Sequence, residues 1–465
     1  MQKYQSFALE SFGFEVDTGM ISLRYSLDDA LFFEETLKIP LPSPSRSFDR
    51  FILDRALFAL HIIAGVSYWK TCIPKKMEVK SGPLSRNEAH FFHDAYEKGM
   101  GEFFFKNDID FRGLIHFPSH SSNTPQSTVS HKLKTKNSRV LVPIGGGKDS
   151  LVTVKLLQQA GFDVTLLRMG GHPIIHETVR MLGLPCLTLE RRLDPLLFRL
   201  NAEGAWNGHI PISAYLSFAS LITAIIHDFD AVILSNERSA SIGNVTFKGM
   251  EINHQWSKSL EFESMLQGYE RESIGSGVSI FSLLRPLSEL SIVKIFTEQC
   301  SEFLPIATSC NRNWKISQGK RAGRRPLSPP LGGRERVRGE SRWCSKCPKC
   351  AFVFSLYAAF LSPGKVEAIF GKNLYADRSL LPLYRELLGL ERTKPFECVG
   401  TPEETAAAFL LARKRGDFKS TAAMEMFGKE ALPAIKNPEV TIKEVLTPVT
   451  EHLIPEEFLS AMPKS

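Results

Sequence analysis

The run from Arg139 to Gly161, RVLVPIGGGKDSLVTVKLLQQAG, constrains this chain more than any other. A short apolar run (VLVPI) enters three glycines, and an amphipathic segment closed by Gly161 leaves them. A buried strand therefore turns directly into a helix. DVTLLRM follows, and PCLTL, AVILSN and SIFSLLRPL come later, separated by helical stretches. Strands alternating with helices dictate a parallel sheet covered on both faces. The predicted fold class is α/β, with this core at 139–308. Ahead of it, 1–118 reads as an α+β domain: FGFEVD, MISLRYSL and TLKIPLP alternate, and a helical pattern runs from Phe48 to Trp69. The polar, aperiodic stretch 119–138 reads as a linker. Residues 309–465 carry a cysteine cluster and then a largely helical C-terminal domain.

A strand that feeds a helix through glycines leaves backbone N–H groups unpaired at the helix start, where the helix dipole also favours an anion. Lys148 adds a cation, and Asp149 and Ser150 can cap the helix or meet a metal. A Walker loop needs Ser or Thr directly after the lysine, and Asp149 stands there instead. A dinucleotide turn needs G-x-G-x-x-G and an acid after the second strand, and Ser150 and Arg168 supply neither. Gly146, Gly147, Lys148, Asp149 and Ser150 do resemble the S-G-G-x-D-S loop of ATP pyrophosphatases, with Gly145 in place of the first serine. That loop implies ATP cleaved to AMP and pyrophosphate. A plain ligand-free connection needs neither three glycines nor the Lys–Asp–Ser group.

The formal charge of +7 has one source. Gln318 to Arg342 holds eight basic and two acidic residues, a net of +6, leaving +1 for the rest of the chain. Rich in Arg, Gly and Pro with almost nothing to bury, 318–342 reads as a disordered insertion, so a nucleic-acid partner is not expected. The first residues lack the basic start and apolar core of a signal peptide, and the apolar stretch Ala214–Ile226 is too short to span a bilayer. A cytoplasmic protein without a membrane partner is expected.

Cys344, Cys347 and Cys350 lie in R-W-C-S-K-C-P-K-C, and Cys310 stands upstream in T-S-C-N-R-N. Four thiolates suit a closed tetrahedral zinc site of structural type. An iron–sulfur cluster is the rival, since C-x-x-C-x-x-C also holds such clusters. Cys72, Cys186, Cys300 and Cys398 read as core or incidental residues.

Between turn and cysteines lie polar strings that a scaffold does not need: GAWNGHIP (204–211), SNERSAS (235–241), EINHQWSK (251–258) and LLRPLSEL (283–290). Together with PIGGGKDSLV, SCNRN, RWCxxCPKC and KPFECVG, in this order, they resemble the MurL family, over a span from about His61 to about Gly400. The basic insertion after Cys310 is extra. The resemblance implies a pyrophosphatase-type (adenine nucleotide alpha hydrolase-like) core and an ATP- and magnesium-dependent epimerase. Its substrate would be UDP-N-acetylmuramoyl-L-alanyl-L-glutamate, a peptidoglycan precursor, with the terminal L-glutamate converted to the D form. An α-proton beside an ionised carboxylate is very hard to remove; adenylating that carboxylate acidifies the carbon, which is what such a loop could provide.

For that reaction Gly145, Gly146, Gly147, Lys148, Asp149 and Ser150 are expected to hold the triphosphate, with Asp149 and Glu237 near magnesium. Arg238, Lys258 and Arg285 are candidates for the substrate's carboxylates and diphosphate. His209, Glu237 and His254 are candidates for proton transfer, and Cys310 a thiol alternative disfavoured by its place in the metal set. Two other functions compete. One is an adenylating enzyme of nucleobase or tRNA modification, such as a 7-cyano-7-deazaguanine synthase or a tRNA thiolase. The other is a zinc-stabilised nucleotide sensor. Oligomeric state is not legible.

Overall fold

In the computed structural model, eleven strands are described: β1 (Ser6–Glu15), β2 (Met20–Leu27), β3 (Leu31–Lys38), β4 (Lys76–Val79), β5 (Arg139–Pro143), β6 (Asp163–Met169), β7 (Cys186–Arg192), β8 (Ala231–Leu234), β9 (Val245–Phe247), β10 (Met250–Ile252) and β11 (Ser279–Ser282). The described residues are 4–43, 47–120, 138–314, 342–391 and 394–463. The linker expected at 119–138 and the insertion expected at 318–342 fall almost wholly outside them.

Nine strands form one sheet in the order β11-β8-β5-β6-β7-β3-β2-β1-β4, and β9 pairs with β10 in a separate hairpin. From β11 to β7 all neighbours are parallel, as the alternating pattern requires. Strands β5, β6 and β7 step outward one way, and β8 and β11 the other. The order therefore reverses between β5 and β8, and the crevice beyond their C-terminal ends is where such sheets bind ligands. The glycine turn leaves β5 there, and SNERSAS leaves β8.

The N-terminal strands are not a separate sheet. β3 pairs antiparallel with β7 through Thr36–Arg192, Leu37–Arg191 and Lys38–Glu190. Side chains that alternate along each core strand feed two cores. Leu141, Val232 and Ile280 pack with Phe7, Tyr25, Trp69 and the N-terminal helices. Val140, Val142, Ile233 and Phe281 pack instead with the helices Lys148–Gln159, Glu289–Gln299 and Pro348–Phe360. Among the described residues one helix, Arg50–Trp69, is long and apolar enough to cross a bilayer, and 72% of its most apolar stretch is buried inside the protein. The Ala214–Ile226 stretch singled out from sequence lies in the shorter helix Ile212–His227. Asp49 caps that helix through the N–H groups of Phe51 and Ile52.

Candidate active site

The turn after β5 is built for close approach. Gly146 has φ +79°, and a Cβ there would stand 3.0 Å from Ile174 Cγ2, so any side chain is both strained and crowded. At Gly145 an added Cβ would meet no atom within 4 Å, so crowding does not exclude the serine of the pyrophosphatase pattern. Gly147 is the N-cap of Lys148–Gln159, and no side chain caps that helix start. Its first N–H groups are left without a side-chain acceptor, the condition for anion binding. The Thr308 N–H donates to Gly146 O at 3.1 Å, so the segment leading to Cys310 closes against the turn.

Behind the turn lies a buried ionic network. Lys148, 3% exposed, bonds Asp149 at 2.5 Å and also Glu289, whose other oxygen takes Lys349 at 3.1 Å. Burial works against the Lys148 charge, but Asp149 and Glu289 outweigh it and hold its pKa above the ordinary value. Glu289 opens the helix Glu289–Gln299, and its N–H donates to Glu404 at 3.0 Å. Burial, with Glu289 nearby, pushes Glu404 up to about 7. Glu237, at the end of β8, is buried close enough to feel Glu289, Asp149 and Lys258; burial first, then the two acids, raises its pKa. Nearby, Ser235 Oγ and Ser239 Oγ are buried without a hydrogen-bond partner among the described residues. Orphaned hydroxyls at a sheet's switch point mark where a ligand's polar groups belong.

Lys258 carries the network onward. Its Nζ lies 3.6 Å from Cys398 Sγ. The same thiol hydrogen-bonds the His254 ring, and His254 Nδ1 contacts Glu102. His209 Nδ1 lies 3.4 Å from the same Glu102 oxygen, with the two imidazole rings 4.7 Å apart. Burial opposes charge on His254, yet Cys398 and Glu102 raise it to about 9. Burial likewise opposes a Cys398 thiolate, but Lys258 and His254 bring it down to about 6. His209, disfavoured as a cation by burial and by His254, drops to about 3. The ground state is thus a neutral His209, a protonated His254 and an ionised Cys398. The half-buried Lys394 borders Glu404, Glu237 and Cys398, and burial lowers its pKa; it has no ion-pair partner among the described residues.

The four cysteines converge as their spacing predicts. Their Sγ atoms lie within 4.8 Å of one another, with Cys344–Cys350 at 3.6 Å and Cys347–Cys350 at 3.5 Å. A tetrahedron with metal–sulfur bonds of about 2.3 Å has edges of roughly 3.8 Å, so the donor set fits a single ion. Cys347 is also the N-cap of Pro348–Phe360, which carries Lys349 to Glu289.

The structure therefore gathers Gly145 to Ser150, Glu237, Lys258, His254 and His209 along one polar tract. Two sequence-predicted residues are occupied differently. Arg285, expected to hold substrate, is 2% exposed and donates to Glu237 O, Lys258 O and Glu263, all at 2.7 Å. It anchors the two turns that bear Glu237 and Lys258. Arg238 donates to Thr447 O and Val445 O, fastening the C-terminal segment. Arg238 donates to backbone carbonyls, and Arg285 to two backbone carbonyls and the Glu263 carboxylate, which no local sequence pattern discloses. Sequence reasoning passed over Glu102, Lys349, Lys394 and Glu404, and set Cys398 aside; Cys398 did lie within the string KPFECVG.

Comparison with known proteins is consistent along the whole chain. Residues 1–283 match the MurL N-terminal domain and 306–441 the MurL C-terminal domain. A protein of Xanthomonas oryzae pv. oryzae is 35% identical over 95% of this chain and 93% of its own length. Proteins of a Micromonospora species and of Salinispora tropica are each 35% identical over 99% of this chain, covering 98% and 96% of their lengths. All three are named UDP-N-acetyl-alpha-D-muramoyl-L-alanyl-L-glutamate epimerase.

Proposed function

The chain belongs to the MurL family, and from that premise we propose that it epimerises the terminal L-glutamate of UDP-N-acetylmuramoyl-L-alanyl-L-glutamate through an acyl-adenylate. One observation carries the reading: an uncapped glycine turn and a set of opposed acid/base groups share one polar tract, joined through Glu237 and Lys258. The nucleobase-modification alternative draws no support from relatives that are named epimerases.

In this reading the helix-start N–H groups of 148–150 and the close backbone at Gly146 and Gly147 receive the triphosphate in a pyrophosphatase-type loop. Asp149 is the carboxylate that would meet magnesium. Lys148 and Lys349, pinned by Glu289, keep positive charge beside the turn, where pyrophosphate charge would develop. Lys258 and Lys394 are the cations for the substrate's carboxylates. Adenylation removes the negative charge next to the α-carbon, and His209, His254 and Glu237 are the candidates of this tract to exchange its proton or to position the group that does. Arg285 acts as a positioning residue. The four cysteines would hold zinc in a structural site, tying the segments that carry them together.

The test is incubation with the muramoyl dipeptide, ATP and magnesium, followed by chiral analysis of the glutamate and identification of the nucleotide. D-glutamate with AMP and pyrophosphate is expected. Epimerisation without ATP, or ADP as product, would overturn the mechanism.

A further inference from the structure

Cys398 stands apart from the other cysteines outside the metal set. Cys72 and Cys300 are buried and Cys186 is half-buried, and burial raises the pKa of each. Cys398 retains some exposure and faces Lys258 at 3.6 Å and the His254 ring, which Glu102 holds in place on the far side. Glu102 comes from the short helix Gly101–Lys106, His254 from the turn after β10, and Cys398 from the segment before helix Pro402–Arg415. Three distant segments thus converge to make a thiol–imidazole–carboxylate relay. At its thiol end Lys394 lies close enough to feel both Cys398 and Glu237, and Glu237 in turn feels Asp149 of the glycine turn.

Such a relay has the parts of an activated thiol: an ionisable sulfur, a base hydrogen-bonded to it, and a third group orienting the base. A peptide-bond-forming or hydrolytic nucleophile has no place in an epimerisation, but a proton acceptor does. We propose that Cys398 is the group that takes the substrate's α-proton on one face, with His254 and Glu102 as its positioning residues. This rests on the adenylate reading above.

The step balances without any oxidant or reductant. The sulfur lone pair takes the proton, so the Cα–H bond breaks and an S–H bond forms. The bonding pair moves into the activated acyl group as an enolate. A proton supplied from solvent on the opposite face then closes the new Cα–H bond as the pair returns from the enolate, and the thiol releases the proton it took to solvent, which restores the thiolate. A compact, polarisable sulfur beside Lys258 suits this task, because the cation also stabilises charge spreading toward the acyl oxygen.

Deuterium oxide separates this proposal from the reading beneath it. With dipeptide, ATP and magnesium, the unaltered protein is expected to release pyrophosphate and to place deuterium on the glutamate α-carbon. If it does neither, the adenylate reading fails. If it does both, Cys398→Ala is expected to lower deuterium incorporation by about 100-fold or more, the usual worth of a proton-transfer group, while pyrophosphate release stays within about threefold. Cys398→Ser, nearly the same size, should behave like Cys398→Ala with an unchanged melting temperature. Exchange at the original rate in either variant would overturn the proposal and leave the adenylate reading standing. Loss of both signals in a folded Cys398→Ser protein would also overturn it, since the thiol would then serve adenylation. An acyl adduct on Cys398 in the quenched intact protein would assign it covalent chemistry instead.

Discussion

Cys398 and His254 depart from their ordinary acidities in opposite directions: Lys258 first and then His254 lower the thiol, while Cys398 and Glu102 raise the imidazole. Around the thiol stand Lys258, His254, Lys349 and Lys394, with Glu237 behind Lys258 and Glu102 behind His254. Depressed to about 6, Cys398 loses its charge as pH falls through that value. Raised to about 9, His254 loses its proton, and the thiolate its donor, as pH rises through that one. The α-proton exchange rate should therefore describe a bell with limbs near these values, which belong to the coupled pair rather than to either group. Initial rates of deuterium incorporation across the range check this, with pyrophosphate release as the control. A profile flat between about pH 5 and about pH 7 would contradict it.

At the scale of elements, the β3–β7 pairing decides whether the N-terminal strands belong to the core. Glu35 on β3 is fully buried and accepts Arg191 of β7 at 2.7 and 3.2 Å, while Tyr68 donates to it at 3.1 Å. Arg191 also lies 3.8 Å from the Tyr215 ring centroid, so helix Ile212–His227 is tied into the same junction. Arg191→Met strands a buried carboxylate and should cost about 3–5 kcal/mol in chemical denaturation. Adding Glu35→Leu should restore much of it, since the unpaired charge is then gone; an additive double variant would show that the pair does not act as one unit. None of this was legible in the sequence. MISLRYSL and TLKIPLP disclose strands by their alternation, but a register between residues more than 150 positions apart leaves no local trace. The glycine turn and the CxxCxxC spacing were legible because their chemistry is confined to a few adjacent residues. Glu102 and Lys394 were not, for the opposite reason: each acts only beside groups from remote segments. That Arg238 and Arg285 donate to backbone carbonyls was equally hidden, because residue type alone cannot tell what a guanidinium faces.

Across the whole molecule, the cysteine cluster connects the C-terminal helices to the glycine turn. Lys349, one residue before Cys350, shares Glu289 with Lys148, and the segment entering Cys310 bonds Gly146 through Thr308. Glu404, from helix Pro402–Arg415, fixes the Glu289 N–H from the other side. An ion held by Cys310, Cys344, Cys347 and Cys350 would therefore lock two segments of chain that both end on the glycine turn. Four thiolates brought within bonding range of one ion repel one another when it is absent, so metal-linked binding energy is folding energy for this region. Metal analysis should find one zinc per chain. Cys347→Ser, or prolonged chelation, should lower the melting temperature and also weaken ATP binding, measured by calorimetry on whatever fraction stays folded. The second effect is the discriminating one. Loss of stability with ATP affinity unchanged would mean that the cluster supports only the C-terminal helices. Iron with acid-labile sulfide in place of zinc would assign the four cysteines to a different centre.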